Sequence, residues 1–144
     1  MGLDMYLNAK RYLWHSDEEL SKAIAEQLPE LKDRRVKEVT VDAGYWRKAN
    51  AIHAWFVTNV QDGEDDCGNY HVSREALQKL RAECQKVLDF KHLATNTLPP
   101  ASGFFFGSTE LDEWYYQNLQ DTIDIIDDAL AMPESWDFEY HSSW

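Results

Sequence analysis

The stretch LDMYLNAKRYLW, residues 3–14, decides the fold that we predict for this chain. Apolar side chains occupy alternate positions at Leu3, Met5 and Leu7, and the aromatic residues Tyr12 and Trp14 follow without an intervening glycine or proline. Alternation with a period of two, in a stretch rich in aromatic residues, is typical of a β-strand. We therefore predict that the chain opens with a strand.

The segments that follow alternate between helical and extended patterns. Ser16 is expected to cap a first helix, with Glu19 completing a capping box and Pro29 ending the helix. We next predict a strand at 36–44 that Gly44 breaks, a helix from there to about residue 59 and a polar loop at 61–70. A helix at 73–90 and a strand at 103–107, buried on both faces, follow. The last predicted elements are a helix at 108–132 capped by Ser108 or Thr109 and a half-buried edge strand at 135–144.

This order favours a single compact α+β domain that spans residues 1–144. We expect about four helices to pack against a small, mostly antiparallel sheet of about four strands. No segment approaches the length of apolar sequence that crosses a bilayer, and the N-terminus lacks the pattern of a secretory signal. The sequence therefore predicts a cytoplasmic protein without membrane contact.

The charge of the chain is concentrated in its last third. The 144 residues carry a net charge of −12, and residues 92–144 contribute ten acidic residues without a single Lys or Arg. Residues 1–91 hold all 14 Lys and Arg against 16 acidic residues. An anionic region repels nucleic-acid phosphates and attracts cationic surfaces. We expect a basic partner and no direct contact with nucleic acid.

The predicted helix at 108–132 places its acidic residues on one face. A helical wheel directs Leu111, Trp114 and Tyr115 inward, together with apolar positions later in the helix. Like charges three and four residues apart destabilise a helix, so we interpret the acidic face as a surface that docks onto a basic groove. The alternative is a solvated face that maintains solubility. The predicted partner-binding residues are Glu113, Asp121, Asp124, Asp127 and Asp128.

A second candidate site lies in the predicted helix at 44–59. Arg47 and Lys48 fall in its first turn, at the positive end of the helix dipole, and Asn50 and His53 follow along the border of its apolar face. These four residues would suit the binding of a phosphate or carboxylate ligand. Alternatively, His53 packs, Asn50 hydrogen-bonds a neighbouring loop, and the two cations are solvated or pair with acidic residues at 61–66.

Metal and catalytic signatures are weak. The alternating carboxylates Asp62, Glu64 and Asp66 lack the glycine and glutamate positions of an EF-hand loop. Cys67 and Cys84 lie outside zinc or redox spacings, so we predict reduced thiols, with Cys84 facing the core. Hydrolase, phosphate-loop and dinucleotide motifs are missing. We predict no metal and no cofactor, and a binding protein more readily than an enzyme.

Three blocks of the sequence resemble a family of small proteins carried by bacteriophages and prophages. They are MGLDMYL at 1–7, GYWRKANAIHAWFVTNVQDGEDDCGNYHVSRE at 44–75 and SGFFFGSTELDEWYYQNLQDTIDIIDDAL at 102–130. The resemblance implies a phage or mobile-element origin and expression in a bacterial cytoplasm, and it assigns no catalytic residues.

The charge pattern and the resemblance together define the leading hypothesis. It is a phage-encoded, non-enzymatic binding protein that engages a basic, nucleic-acid-binding host or antiviral-defence factor through its acidic C-terminal third. The alternative is a module or enzyme that binds a nucleotide or another anionic metabolite through Arg47, Lys48, Asn50 and His53. A third hypothesis is a structural or assembly component of the virion.

Overall fold

A four-stranded antiparallel sheet forms one layer of the structure, a computed structural model that describes residues 2–103 and 105–144. The spatial order of the strands is β2-β1-β4-β3, so β1 and β4 are central. The strands are β1 at Asp4–Tyr12, β2 at Glu38–Arg47, β3 at Asn69–Val72 and β4 at Asp137–Ser143.

Helices connect the strands along the chain, and those that pack against the sheet form the second layer. The helices are α1 at Glu18–Glu26, α2 at Asn50–Asn59, α3 at Arg74–Asp89, the single turn α4 at Ala94–Thr97 and α5 at Glu113–Leu130. The core lies between the sheet and helices α2, α3 and α5. The predicted α+β domain with about four strands and four helices is confirmed.

The alternation that predicted β1 is confirmed. Leu3, Met5, Leu7 and Ala9 have no solvent exposure, because this side of the strand faces the helices. The intervening side chains of β1 are half-buried and belong to the opposite face of the sheet. The predicted start of α3 is also confirmed, since the Ser73 hydroxyl accepts a hydrogen bond from the amide of the third residue beyond it.

Two of the predicted strands differ in the structure. At 103–107 the described residues form no strand and are half-buried or exposed, and residue 104 lies outside the described part of the chain. Instead, the amide of Leu3 donates to the carbonyl of Phe105 at 3.2 Å, which ties this loop to the start of the chain. The C-terminal strand β4 is central rather than an edge strand, because the short polar strand β3 pairs with its outer side. The sequence predicts a polar loop at 61–70, which includes the first two residues of β3.

Two helices begin later than predicted. Ser16 lies in a turn of 3-10 helix at 15–17, and α1 begins after it. Helix α5 begins at Glu113 because the Asp112 carboxylate, rather than Ser108 or Thr109, accepts a hydrogen bond from the amide of Tyr115 at 3.0 Å. An acidic cap is well suited to the positive end of the helix dipole.

Gly44 lies inside β2, where we had predicted that it ends the strand. A β-carbon at this position would lie 2.3 Å from Cγ2 of Ile125, so the glycine allows α5 to approach the sheet closely. The strand continues to Arg47, and the chain then turns at Lys48, whose φ of 53° lies in the left-handed region. Arg47 and Lys48 therefore precede α2 and do not occupy its first turn.

The substitution Gly44→Ala should lower the free energy of unfolding by about 1–3 kcal/mol, the usual cost of overpacking. Urea denaturation followed by circular dichroism would measure this loss. The same substitution in an Ile125→Ala background is the control, because removing the isoleucine branch removes the clash and should reduce the loss. Equal losses in both backgrounds would contradict a steric role for Gly44.

Candidate functional site

Arg47 and Lys48, at the end of β2, differ in their solvent exposure and contacts. Arg47 is exposed at the end of β2, opposite Asp4 of β1, and Nη2 of its guanidinium lies beside Gly2. Lys48 is half-buried, and its alkyl chain packs along Gly107. The Lys48 amide donates to the carbonyl of Leu3 at 2.7 Å.

Asn50 is buried and holds the loop that precedes α5. Its side-chain amide donates to the carbonyls of Phe106 at 3.0 Å and Ser108 at 2.8 Å. Its carbonyl oxygen accepts from the amide of Ala101 at 3.0 Å. Three of the four hydrogen bonds that this side chain can make are thus directed at one loop, in agreement with the alternative interpretation of the sequence.

His53 is buried in a chain of hydrogen bonds that the sequence did not reveal. Its Nδ1 lies 2.6 Å from the hydroxyl of Tyr140, and its Nε2 lies 3.0 Å from Oδ2 of Asp65. Burial raises the pKa of the Tyr140 hydroxyl well above its usual value, so this hydroxyl remains a donor. When this hydroxyl donates to Nδ1, the ring can donate from Nε2 to the Asp65 carboxylate. Trp144 donates to the other oxygen of Asp65 at 2.9 Å.

This chain of groups resembles a proton relay, but its position favours a structural role. Tyr140 has no solvent exposure, and its ring stacks on Phe56 at a centroid distance of 3.9 Å. A substrate has no route to a hydroxyl that is packed in this way. This hydrogen-bond network instead connects the C-terminal strand and Trp144 to the loop that carries Asp65. Only the tertiary pairing of β4 with the rest of the sheet brings these residues together.

The four residues of the predicted anion site do not converge on one cavity. Lys48 and Asn50 line a cavity at the start of α2, but its volume is only about 20 Å³, close to that of one water molecule. Glu110 and Asp112 line the same cavity, and their negative charges oppose an anion. The side-chain amide of Asn50 and both ring nitrogens of His53 already have hydrogen-bond partners within the protein.

The acidic residues of α5 lie on the surface, as predicted. Glu113, Asp121, Asp124, Asp127 and Asp128 are all exposed. Asp127 differs from the others because Arg81 of α3 donates two hydrogen bonds to its carboxylate, which lowers the pKa of Asp127. Asp121 and Asp124 each accept a hydrogen bond from a glutamine one turn earlier, an uncharged partner that leaves their negative charge in place.

Trp114 and Leu111 are exposed, whereas the helical wheel predicts that both point inward. Trp114 is 62% exposed because the buried Tyr115 sets the rotation of the first turn by donating its hydroxyl to the carbonyl of Leu98 at 2.7 Å. The indole therefore lies on the acidic side of the helix. At 100° per residue, the directions of four exposed side chains of α5, viewed along the helix axis, lie within about 80° of one another. We call this stripe the α5 ridge, and its members are Trp114, Asp121, Asp124 and Asp128.

The other candidate sites remain without a ligand set. Within residues 2–103 and 105–144, no group of three or more His, Cys, Asp and Glu side chains is arranged to hold a metal ion. Both cysteines are free, and Cys84 has no solvent exposure, which confirms that it faces the core. This burial raises the pKa of the Cys84 thiol to about 12. Among the helices of the same residues, none is long and apolar enough to cross a lipid bilayer.

Three comparisons with known proteins were negative. No protein-family model, curated protein or solved structure matches this chain. The resemblance to bacteriophage and prophage proteins therefore stays a prediction.

Proposed function

We propose that this chain is a non-enzymatic binding protein whose α5 ridge docks onto a basic surface of another protein. The observation that carries the proposal is the position of Asp121, Asp124 and Asp128. They are exposed, they have no Lys or Arg partner among the described residues, and they lie in line with the exposed Trp114. A solvated face that served solubility alone would have no need of a large exposed indole at one end.

The two components of the ridge would make different contributions to binding. Unpaired carboxylates attract a cationic partner over several ångströms and raise the rate of association. A tryptophan at the end of the charged stripe supplies the large apolar contact on which affinity commonly depends. Repulsion among Asp121, Asp124 and Asp128 costs the free helix a few tenths of a kcal/mol per pair, and a basic partner would relieve it.

The partner class follows from the charge of the ridge. Carboxylates at regular intervals can occupy a groove that otherwise holds nucleic-acid phosphates, so a nucleic-acid-binding protein is the partner that we propose. The resemblance to phage proteins supports a host or antiviral-defence factor as its source. Direct binding to nucleic acid is disfavoured by the ten acidic residues of residues 92–144, which have no compensating Lys or Arg.

Charge reversal of Asp121, Asp124 and Asp128 to lysine should weaken partner binding by tenfold to 100-fold, about 1.4–2.8 kcal/mol. Affinity purification of the tagged protein from bacterial lysate, at low and high salt, would identify the partner. Titration of that purified partner would then measure the loss. Trp114→Ala should also weaken binding, and this effect should persist at high salt because it does not depend on charge.

The matched control reverses three exposed acidic residues elsewhere, Glu19, Glu26 and Glu30. It changes the net charge by the same amount but leaves the α5 ridge intact, so it should retain most of the affinity. If both triple variants bind equally well while remaining folded, the ridge is not the docking surface. If both lose affinity equally, the attraction depends on net charge and not on this helix.

A further inference from the structure

The face of the sheet that points away from α2, α3 and α5 carries a row of aromatic rings. We call this face the open face. Register places Tyr45 of β2, Tyr6 of β1 and His141 of β4 side by side across three neighbouring strands. The ring centroids of Tyr6 and Tyr45 are 5.5 Å apart, and the ring of His141 stacks on that of Tyr6 at 5.9 Å. We call these three residues the aromatic row.

The aromatic row is not part of the hydrophobic core. Tyr45 is 50% exposed, and none of the three residues belongs to the buried cluster between the two layers. Beside the row is a shallow groove of about 390 Å³, lined by Tyr6, Tyr45 and Asp42 and by the backbone near Gly44. A β-bulge in β2 at Ala43 interrupts the register beside the groove.

Acidic groups surround these rings. Asp4 accepts a hydrogen bond from the Tyr45 hydroxyl, and Asp42 is exposed at the edge of the groove. A phenol that donates to a carboxylate carries a more electron-rich ring, which strengthens its attraction for a cation. Of the cations nearby, Lys10 pairs with Glu139 at 2.9 Å. The charge of Arg47 lowers the pKa of the Tyr45 hydroxyl, but the hydrogen bond to Asp4 raises it by more, so the negative charge of Asp4 dominates at this ring.

We propose that the aromatic row and Asp42 bind an arginine side chain presented by a protein partner. A planar guanidinium can stack on the exposed Tyr45 ring and donate hydrogen bonds to the Asp42 carboxylate at the same time. A nucleic-acid base could also stack on such rings, but its phosphates would meet Asp4 and Asp42, which repel them. Charge complementarity therefore selects the cationic occupant.

This site is independent of the α5 ridge. The ridge lies on the exposed side of the helical layer, whereas the aromatic row lies on the opposite layer of the molecule. Variants of one surface leave the other unchanged, so the two proposals can fail separately.

Amide NMR spectra of the full chain, titrated with acetylated tri-arginine amide, would test the proposal. We expect shifts at Tyr6, Asp42 and Tyr45, and at least tenfold weaker binding at these residues after Tyr45→Leu. Tyr45→Phe is the matched control, because it retains the ring but loses the hydrogen bond to Asp4, so it should weaken binding less than Tyr45→Leu does. Reversal of the α5 ridge should leave these shifts in place. The neutral probe is the corresponding tri-citrulline peptide, which has nearly the same shape as tri-arginine without its charge, and it should produce no shifts.

Four outcomes would overturn the proposal. They are equal shifts with the citrulline peptide, retained binding in a folded Tyr45→Leu protein, the same shifts on addition of a thymidine oligonucleotide, and the same shifts on changing the protein concentration without a probe. The last outcome would identify the open face as a contact between two copies of this chain. If Tyr45→Leu fails to fold, Asp42→Asn replaces it, since removal of this exposed carboxylate should also weaken binding of tri-arginine.

Discussion

Replacement of Phe56 by alanine should lower the free energy of unfolding by about 3–5 kcal/mol, the range measured when a buried phenylalanine is truncated. Phe56 has no solvent exposure. Its ring stacks on Tyr140 at 3.9 Å, with an angle of 8° between the planes, and meets the edges of Trp46 and Trp55 at 5.9 and 5.5 Å. The substitution removes contacts to α2, β2 and β4 at once and leaves a cavity between the two layers.

Urea denaturation followed by circular dichroism would measure this loss. Phe90→Ala is the matched control, because the Phe90 side chain is 56% exposed and its truncation should change stability by no more than about 0.5 kcal/mol. A loss for Phe56→Ala as small as that of the control would contradict the packing of α2 against β4.

The substitution Asn50→Ala should cost about 3 kcal/mol. Three backbone groups lose their partner, namely the carbonyls of Phe106 and Ser108 and the amide of Ala101. Each buried polar group left unpaired costs about 1–3 kcal/mol, and the exposure of part of this loop to water reduces the total. We also expect faster hydrogen exchange at the amide of Ala101, which loses its acceptor.

Asn59→Ala is the control for this prediction. Asn59 is exposed and donates to the carbonyl of Trp55 within its own helix, so its removal should have a small effect. Unchanged stability of Asn50→Ala, with unchanged exchange at Ala101, would contradict the role of Asn50 in holding the loop. It would also return Asn50 to consideration as a ligand-binding residue.

Much of the candidate surface could be predicted because its signals are local. The acidic residues of α5 are exposed because their helical spacing directs them away from the core. Their excess of negative charge is also visible in the sequence, since no Lys or Arg follows residue 91. The position of Trp114 could not be predicted in this way. Its direction follows from the rotation of the first turn of α5, which the buried Tyr115 sets through its hydrogen bond to the carbonyl of Leu98, 17 positions earlier in the chain.

The sequence by itself determined the two-layer α+β domain, the buried side of β1, the start of α3 at Ser73 and the acidic face of α5. Each of these follows from the period of apolar residues or from a capping residue, and both signals lie within one short segment of the sequence. Only the tertiary structure decided that β2 continues through Gly44, that β3 makes β4 a central strand, and that Tyr6, Tyr45 and His141 form one row. These features depend on residues that are far apart in the sequence, up to 135 positions for Tyr6 and His141. Contacts between strands are set by register and packing, which cannot be derived from the pattern of residues within one segment.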